Sequence, residues 1–333
     1  MSLIKNKRFN TYHLLLFAGI VALTTFSLTS FCVSNKNTEQ VSKSSSSICN
    51  FHVTRLNGLK YIRPILFVDE ECESDNLSGI RQQVTEIINR YKTTEGVTAA
   101  SVYLKNHNGW TAVGDNEKYQ PGSLFKIPVL ITILKMNEKN PGFLDKVFTY
   151  DRQFISEKNV AYASKTIKFG QSYTVRELLK YMIQYSDNNA TTLLESHMNL
   201  EIFKKIFDDF GLTVPKPDDK VYFITAREYS FFMRVIYNAG YLSIEDSEYA
   251  AELLTQSGFT EGILKGLPKG ITAAHKFGES GDTVEKQLHE SAIVYSGNNP
   301  YLLTVMTKGK ENKNLSKLIA EISEAVYNNL HNN

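Results

Sequence analysis

The chain has 333 residues, 42% of them hydrophobic and 22% charged, and a formal net charge of +2. That length holds one large domain or two intertwined ones with a full-sized core, and the composition excludes a disordered chain. The small net charge excludes a strongly basic nucleic-acid binder.

Lys5, Lys7 and Arg8 precede an uncharged apolar stretch from Leu14 to about Phe26, the layout of a secretory signal. Residues 1–33 are therefore expected to be a signal peptide or a retained membrane anchor, since residues 13–33 are long enough to span a bilayer. Either reading puts the protein outside the cytoplasm, in the cell envelope, tethered or secreted. Cys32 follows Leu28-Thr29-Ser30-Phe31, similar to a lipoprotein box in which Phe31 stands where a small residue is usual. Setting residues 1–33 aside leaves a charge of about −1, with no excess for nucleic acid or anionic lipid.

Residues 34–48 (SNKNTEQVSKSSSSI) read as a flexible, serine-rich tether that continues into an N-terminal extension to residue 77. Cys49 and Cys72 form an even pair, which in an oxidising compartment suggests a disulfide; two unpaired buried cysteines are the alternative. The seven histidines are scattered without metal-ligand spacing, so no metal site and no cofactor are expected.

The segment from Asn50 to Asp75 has no clear period. A helix is predicted over 78–92, with Ile80, Val84, Ile87, Ile88 and Tyr91 on one stripe. Strands follow at 97–104 and 109–113, paired across the polar turn KNHN. A helix then runs from Ser123 to about Met136, with Pro128 early enough to cost little. Further helices are predicted at 175–184, 188–198, 200–210, 226–238 and 244–256. Strands return at 271–277, 289–295 and 301–307, before a last helix at 312–330. This order predicts an α/β chain of the α+β type: one antiparallel five-stranded sheet built from both ends, flanked by helices, with an all-helical part inserted. A site would lie at the seam between the two parts.

Three short motifs carry candidate chemistry. Ser123 and Lys126 sit one helical turn apart at a helix start, where unpaired amides and the helix dipole favour negative charge. Taken alone they also fit a helix cap and a snorkelling lysine, and the same spacing recurs at Ser2 and Lys5. Tyr185-Ser186-Asp187-Asn188 lies at the break between two helical patterns, where a cap is the simplest structural reading. His275-Lys276-Phe277-Gly278-Glu279 ends a predicted strand, with a glycine that permits close approach of the backbone.

Together, in this order and in these contexts, the motifs resemble those of the penicillin-recognising serine hydrolases, class A β-lactamases in particular. The likeness extends through the strands before Ser123, the helices around Ser186 and the last three strands, spanning about residues 78–330. A second Lys-Phe-Gly triplet at 168–170 precedes the middle motif and is assigned to a loop. The resemblance implies a catalytic domain over 78–330, with a sheet from 78–118 and 268–330 and a helical subdomain at 119–267. It implies that Ser123 attacks a carbonyl carbon to form an acyl-enzyme and that Lys126 takes its proton. Ser186 and Lys276 would pass a proton to the leaving nitrogen, and Lys276 would attract a substrate carboxylate. Asn188 would bind the acyl amide, Phe277 and Gly278 would border the substrate, and the backbone N–H groups of Ser123 and Glu279 would form the oxyanion hole. The expected substrate is a β-lactam or a cell-wall peptide, met by a monomer with no nucleic-acid partner and, in the anchored case, a membrane tether.

The pattern departs from the family in two places. Phe277 replaces the hydroxyl residue of the third motif and cannot donate a hydrogen bond to a carboxylate. The connection GLTVPKPDDKVYFIT lacks the Glu-x-x-Leu-Asn loop whose glutamate directs the hydrolytic water; its Asp218 and Asp219 read as solvated turn residues. A penicillin-binding, DD-peptidase-like enzyme that deacylates slowly is therefore the alternative. A non-catalytic envelope module using the old cleft for binding is the third reading, and the intact Ser, Lys, Ser, Asn and Lys set argues against it.

Overall fold

A hairpin opens the chain in the computed structural model, which describes residues 49–154, 162, 165–216 and 221–331. The predicted export segment with Cys32, the tether at 34–48 and the Asp218–Asp219 turn lie outside the described residues. Cys49 and Cys72 are both disulfide-bonded.

Strands β1 (Phe51–Arg55) and β2 (Ile65–Glu70) pair antiparallel in the stretch whose sequence showed no period. Consecutive Leu66 and Phe67 are both buried, which breaks the alternation a strand search relies on. The hairpin docks by stacking Phe67 on Phe231 at 4.7 Å and by the buried ion pair of Asp69 with Arg234 at 2.8 Å.

Helix α1 (Ser78–Thr94) buries the predicted stripe of Ile80, Val84, Ile87, Ile88 and Tyr91. Strands β3 (Val97–Asn106) and β4 (Gly109–Val113) form the expected hairpin across His107 and Asn108. Six helices follow: α2 (Lys126–Lys139), α3 (Val175–Gln184), α4 (Asn188–Glu195), α5 (Leu200–Asp209), α6 (Ala226–Tyr237) and α7 (Ile244–Thr255). A small exposed pair, β5 (Val147–Thr149) with β6 (Ser172–Thr174), interrupts them; three residues per strand are too few to leave a periodic signal. Strands β7 (Thr272–Gly281), β8 (Lys286–Tyr295) and β9 (Tyr301–Gly309) and helix α8 (Asn312–His331) complete the chain.

The main sheet has five strands in the order β4-β3-β9-β8-β7, every neighbouring pair antiparallel. Alternation sorts its side chains to two cores. Val102, Leu104, Leu303, Val305, Ala273 and Phe277 join α1 and α8 on one face. Tyr103, Leu302, Met306, Ala274 and Ile293 join the inserted helices on the other. With both faces covered, the strands read as nearly continuous apolar runs. Strand β7 is an edge strand, and its free rim faces the 3-10 turn Gly122–Phe125 that leads into α2. No helix among the described residues is long and apolar enough to cross a membrane.

Candidate active site

The predicted helix start at Ser123 is instead a 3-10 turn, and α-helix begins at Lys126. Pro128 gives the reason. Its ring cannot donate to the carbonyl four residues earlier, that of Leu124, and would clash with it in a regular helix. The displaced Leu124 carbonyl accepts the hydroxyl of Tyr229 from α6 at 3.0 Å instead. The tighter turn leaves Ser123 partly exposed and turns Lys126 inward, where only 4% of its surface is accessible.

Four oxygens surround the Lys126 amine: Ser186 O at 2.5 Å, Asn188 Oδ1 at 2.8 Å, Ser186 Oγ at 3.1 Å and Ser123 Oγ at 3.2 Å. An ammonium has three protons to donate, so one of these oxygens must do without. Burial is the main force on the amine and lowers its pKa to about 7, partly offset by Asp187 and Glu195. A neutral amine can accept a proton from a neighbouring hydroxyl, which makes Lys126 chemically suited to act as a base near neutrality.

Ser186 ends the α3–α4 turn with φ 53°, a left-handed conformation that costs a non-glycine residue roughly 1–2 kcal/mol. Asp187 holds it there. This buried carboxylate caps α4 through Asn189 N at 3.0 Å and also accepts from Ile167 N at 2.8 Å and Thr166 Oγ1 at 2.8 Å. The cap expected at this break is thus supplied by Asp187, and Ser186 Oγ lies between two lysines, whereas Ser123 caps no helix.

The second of those lysines is Lys276 on β7, fully buried, with its amine 3.0 Å from Ser186 Oγ and 2.8 Å from Phe277 O. Burial, and then the nearby Lys126, push its pKa well below that of an ordinary lysine. Ser123, Lys126, Ser186 and Lys276 therefore form one chain of polar contacts. Asn188 joins it through Lys126.

The other third-motif residues are placed differently. Phe277 is 3% exposed and stacks on Phe259 at 4.5 Å, within the core that α1 and α8 cover. Phe277 thus forms a buried floor under the Lys276 amine, which lies 4.1 Å from the ring centroid. Gly278 meets backbone rather than an open site, since a Cβ there would lie 2.3 Å from Pro121 O and 2.8 Å from Leu124 N. Across the same seam, a Cβ on Gly122 would lie 2.1 Å from Glu279 O. Two glycines thus let the edge of β7 abut the turn that carries Ser123. The Glu279 carboxylate accepts from Asn312 at 3.0 Å.

A cleft of about 370 Å³ opens at this seam, lined by Ser123, Lys126, Asn188 and Glu279 together with residues the sequence did not single out. Gln120 and Ser280 stand on the strand side; Thr191, Thr192 and Glu195 stand on α4. On a helix, positions 188, 191, 192 and 195 share one face, so the spacing from Asn188 was the available signal. Burial raises the pKa of Glu195, and Lys126 opposes that shift. A cavity of about 410 Å³ lined by Lys105, Arg234, Tyr237 and Asn299 lies elsewhere and contains none of the three motifs. Among the described residues there is no cluster of three histidine, cysteine or acidic side chains able to hold a metal ion.

A sequence model of the beta-lactamase enzyme family matches residues 79–330. The chain is 24% identical over 288 residues to a beta-lactamase from Bacteroides uniformis, covering 76% of this chain and 92% of that protein. A solved representative of class A beta-lactamases from Bacteroides cellulosilyticus DSM 14838 superposes with a TM-score of 0.66 at 18% identity, over 78% of this chain and 99% of that one. The structure of PBP-A superposes with a TM-score of 0.64 at 22% identity, over 77% of this chain and 97% of that one. At these identities the two structures speak to the fold.

Proposed function

Since the match over residues 79–330 makes this chain a member of the beta-lactamase enzyme family, we propose that it is a serine hydrolase acting on β-lactams through an acyl-enzyme at Ser123. The observation that carries this reading is the continuous contact from Ser123 Oγ to Lys126 Nζ at 3.2 Å, on to Ser186 Oγ at 3.1 Å and to Lys276 Nζ at 3.0 Å. Lys126 accepts the Ser123 proton as Oγ bonds to the lactam carbonyl carbon. The ring C–N bond then breaks, and Ser186 delivers a proton to the departing nitrogen, resupplied through the flanking amines. Backbone N–H groups of Ser123 and Glu279 stabilise the oxyanion, and Asn188 receives the acyl amide. The family's carboxylate-binding hydroxyl is replaced by the buried Phe277, which has no side-chain donor, so a substrate carboxylate loses one donor here.

Export to the cell envelope, by a cleaved signal or a retained tether, belongs to the same reading. The basic residues before the apolar stretch at 14–26 and the oxidised Cys49 and Cys72 support it.

One observation favours a second reading within the same chemistry. The connection between α5 and α6 carries no Glu-x-x-Leu-Asn motif, so acylation without rapid hydrolysis would make the chain a penicillin-binding, DD-peptidase-like enzyme. Intact mass followed over time after mixing with benzylpenicillin separates the two. Drug consumption with a short-lived adduct supports the hydrolase, and a persistent adduct supports the slow enzyme. Absence of any adduct and of any consumption, equal to that of S123A, would overturn both.

A further inference from the structure

Hydrolysis of an ester on Ser123 needs a base that reaches water near the acyl carbon. Among the described residues, the cleft wall contains two carboxylates, Glu195 and Glu279. Glu279 lies on the β7 side, where its carboxylate accepts from Asn312. Glu195 lies on the α4 side, two turns along from Asn188 and on the same face as Thr191 and Thr192. The residue as a whole is exposed, while the cleft partly desolvates its carboxylate end.

We infer that Glu195, at the C-terminal end of α4, is the general base that hydrolyses the acyl-enzyme; this rests on the proposed acylation of Ser123. Its surroundings suit the task. Burial of the carboxylate raises its pKa, which makes it a stronger base than a free glutamate. It is close enough to Lys126 for each to shift the titration of the other. Thr192 stands on the same wall between Asn188 and Glu195, whereas the Thr191 hydroxyl donates to Asp187 O at 2.7 Å.

A water oxygen bonds to the acyl carbon while one of its protons passes to the Glu195 carboxylate. The tetrahedral adduct collapses with cleavage of the bond from the acyl carbon to Ser123 Oγ. The proton then passes from Glu195 to Oγ, releasing a carboxylic acid product and regenerating the serine. The base thus comes from the helix after the second motif, in place of the Glu-x-x-Leu-Asn glutamate that this sequence lacks.

The test compares wild type, E195Q and E195D by intact mass and by turnover of benzylpenicillin. Glutamine keeps the size of the side chain and removes its basicity. The expected result is that E195Q acylates at the wild-type rate but deacylates about 10²- to 10⁴-fold more slowly, so its adduct accumulates. The acidic limb of the wild-type deacylation profile should disappear in E195Q and return in E195D. Wild-type turnover by E195Q would overturn the inference, and so would a wild-type protein whose own adduct never clears. Failure of the wild-type protein to form an adduct at all would overturn the acyl-enzyme reading, and the role of Glu195 with it.

Discussion

The hydroxyl of Tyr229 donates to the carbonyl of Leu124 at 3.0 Å, in the interior between α6 and the turn that carries Ser123. This contact completes what Pro128 begins: the proline denies Leu124 its helical partner, and the tyrosine replaces that partner from a different element. The nucleophile turn is thereby fixed to the helical core rather than to its own helix.

Y229F removes this donor without changing the ring and leaves the Leu124 carbonyl with only the Lys126 N–H of its own turn. The expected cost is about 0.5–1.5 kcal/mol of stability, the net worth of one hydrogen bond. Acylation should slow as well, because Leu124 lies between Ser123 and Lys126. Denaturant unfolding and the adduct-formation rate check both; an unchanged midpoint would mean that Leu124 finds another donor.

Lys126 links activity and stability to pH. Its pKa is lowered to about 7 by burial, so the fraction of neutral amine, and with it the acylation rate, should rise through about pH 7. The sign for stability follows from proton counts. Between about 7 and the ordinary lysine value of 10.5, the unfolded chain holds a proton that the native chain lacks. Stability therefore rises with pH across that window and is lost as pH falls from 10.5 towards 7. Lys276, also shifted down, adds with the same sign. K126M should abolish acylation and flatten the slope of unfolding free energy between pH 7.5 and 9.5 relative to wild type.

Much of this architecture is legible in the sequence where local signals agree. The helices at Val175 and Ala226 begin where expected because Thr174 with Glu177 and Thr225 with Glu228 form capping boxes. The strands of the main sheet announce themselves as apolar runs because both faces are covered. The hairpin at 51–70 is hidden because two adjacent residues, Leu66 and Phe67, are both buried. Within the site, the motif residues Ser123, Lys126, Ser186 and Lys276 come together as their order suggests. Motif position does not reveal that Phe277 is buried against Phe259 with the Lys276 amine over its ring. Glu195 belongs to no motif and gains its meaning from the face of α4 that the cleft exposes.

Ser186 separates backbone strain from chemistry. At φ 53° its side chain is a liability that glycine would not carry. S186G should therefore be more stable than S186A by about 1 kcal/mol in denaturant unfolding. Both should lose β-lactam acylation to a similar extent, since both lack the hydroxyl between the two lysines. Activity retained by either variant would remove Ser186 from the proton path.

The seam between β7 and the nucleophile turn gives the last prediction. A Cβ on Gly278 would meet Pro121 O at 2.3 Å, and one on Gly122 would meet Glu279 O at 2.1 Å. Both contacts are with backbone, which cannot swing aside as a flexible side chain would. G278A should thus push the edge of β7 away from the turn and widen the spacing between the Ser123 and Glu279 amides that the oxyanion requires. Loss of one such donor slows acylation by about 10²- to 10³-fold. Gly211 supplies the control: its φ is 69°, and a Cβ there would meet nothing within 4 Å. G211A should cost about 1–2 kcal/mol of stability from the left-handed backbone alone and leave acylation unchanged. Acylation rates for G278A and G211A, compared at matched folded fraction, decide it: equal rates would mean that the seam only packs the fold, whereas a selective loss in G278A assigns it to the reaction.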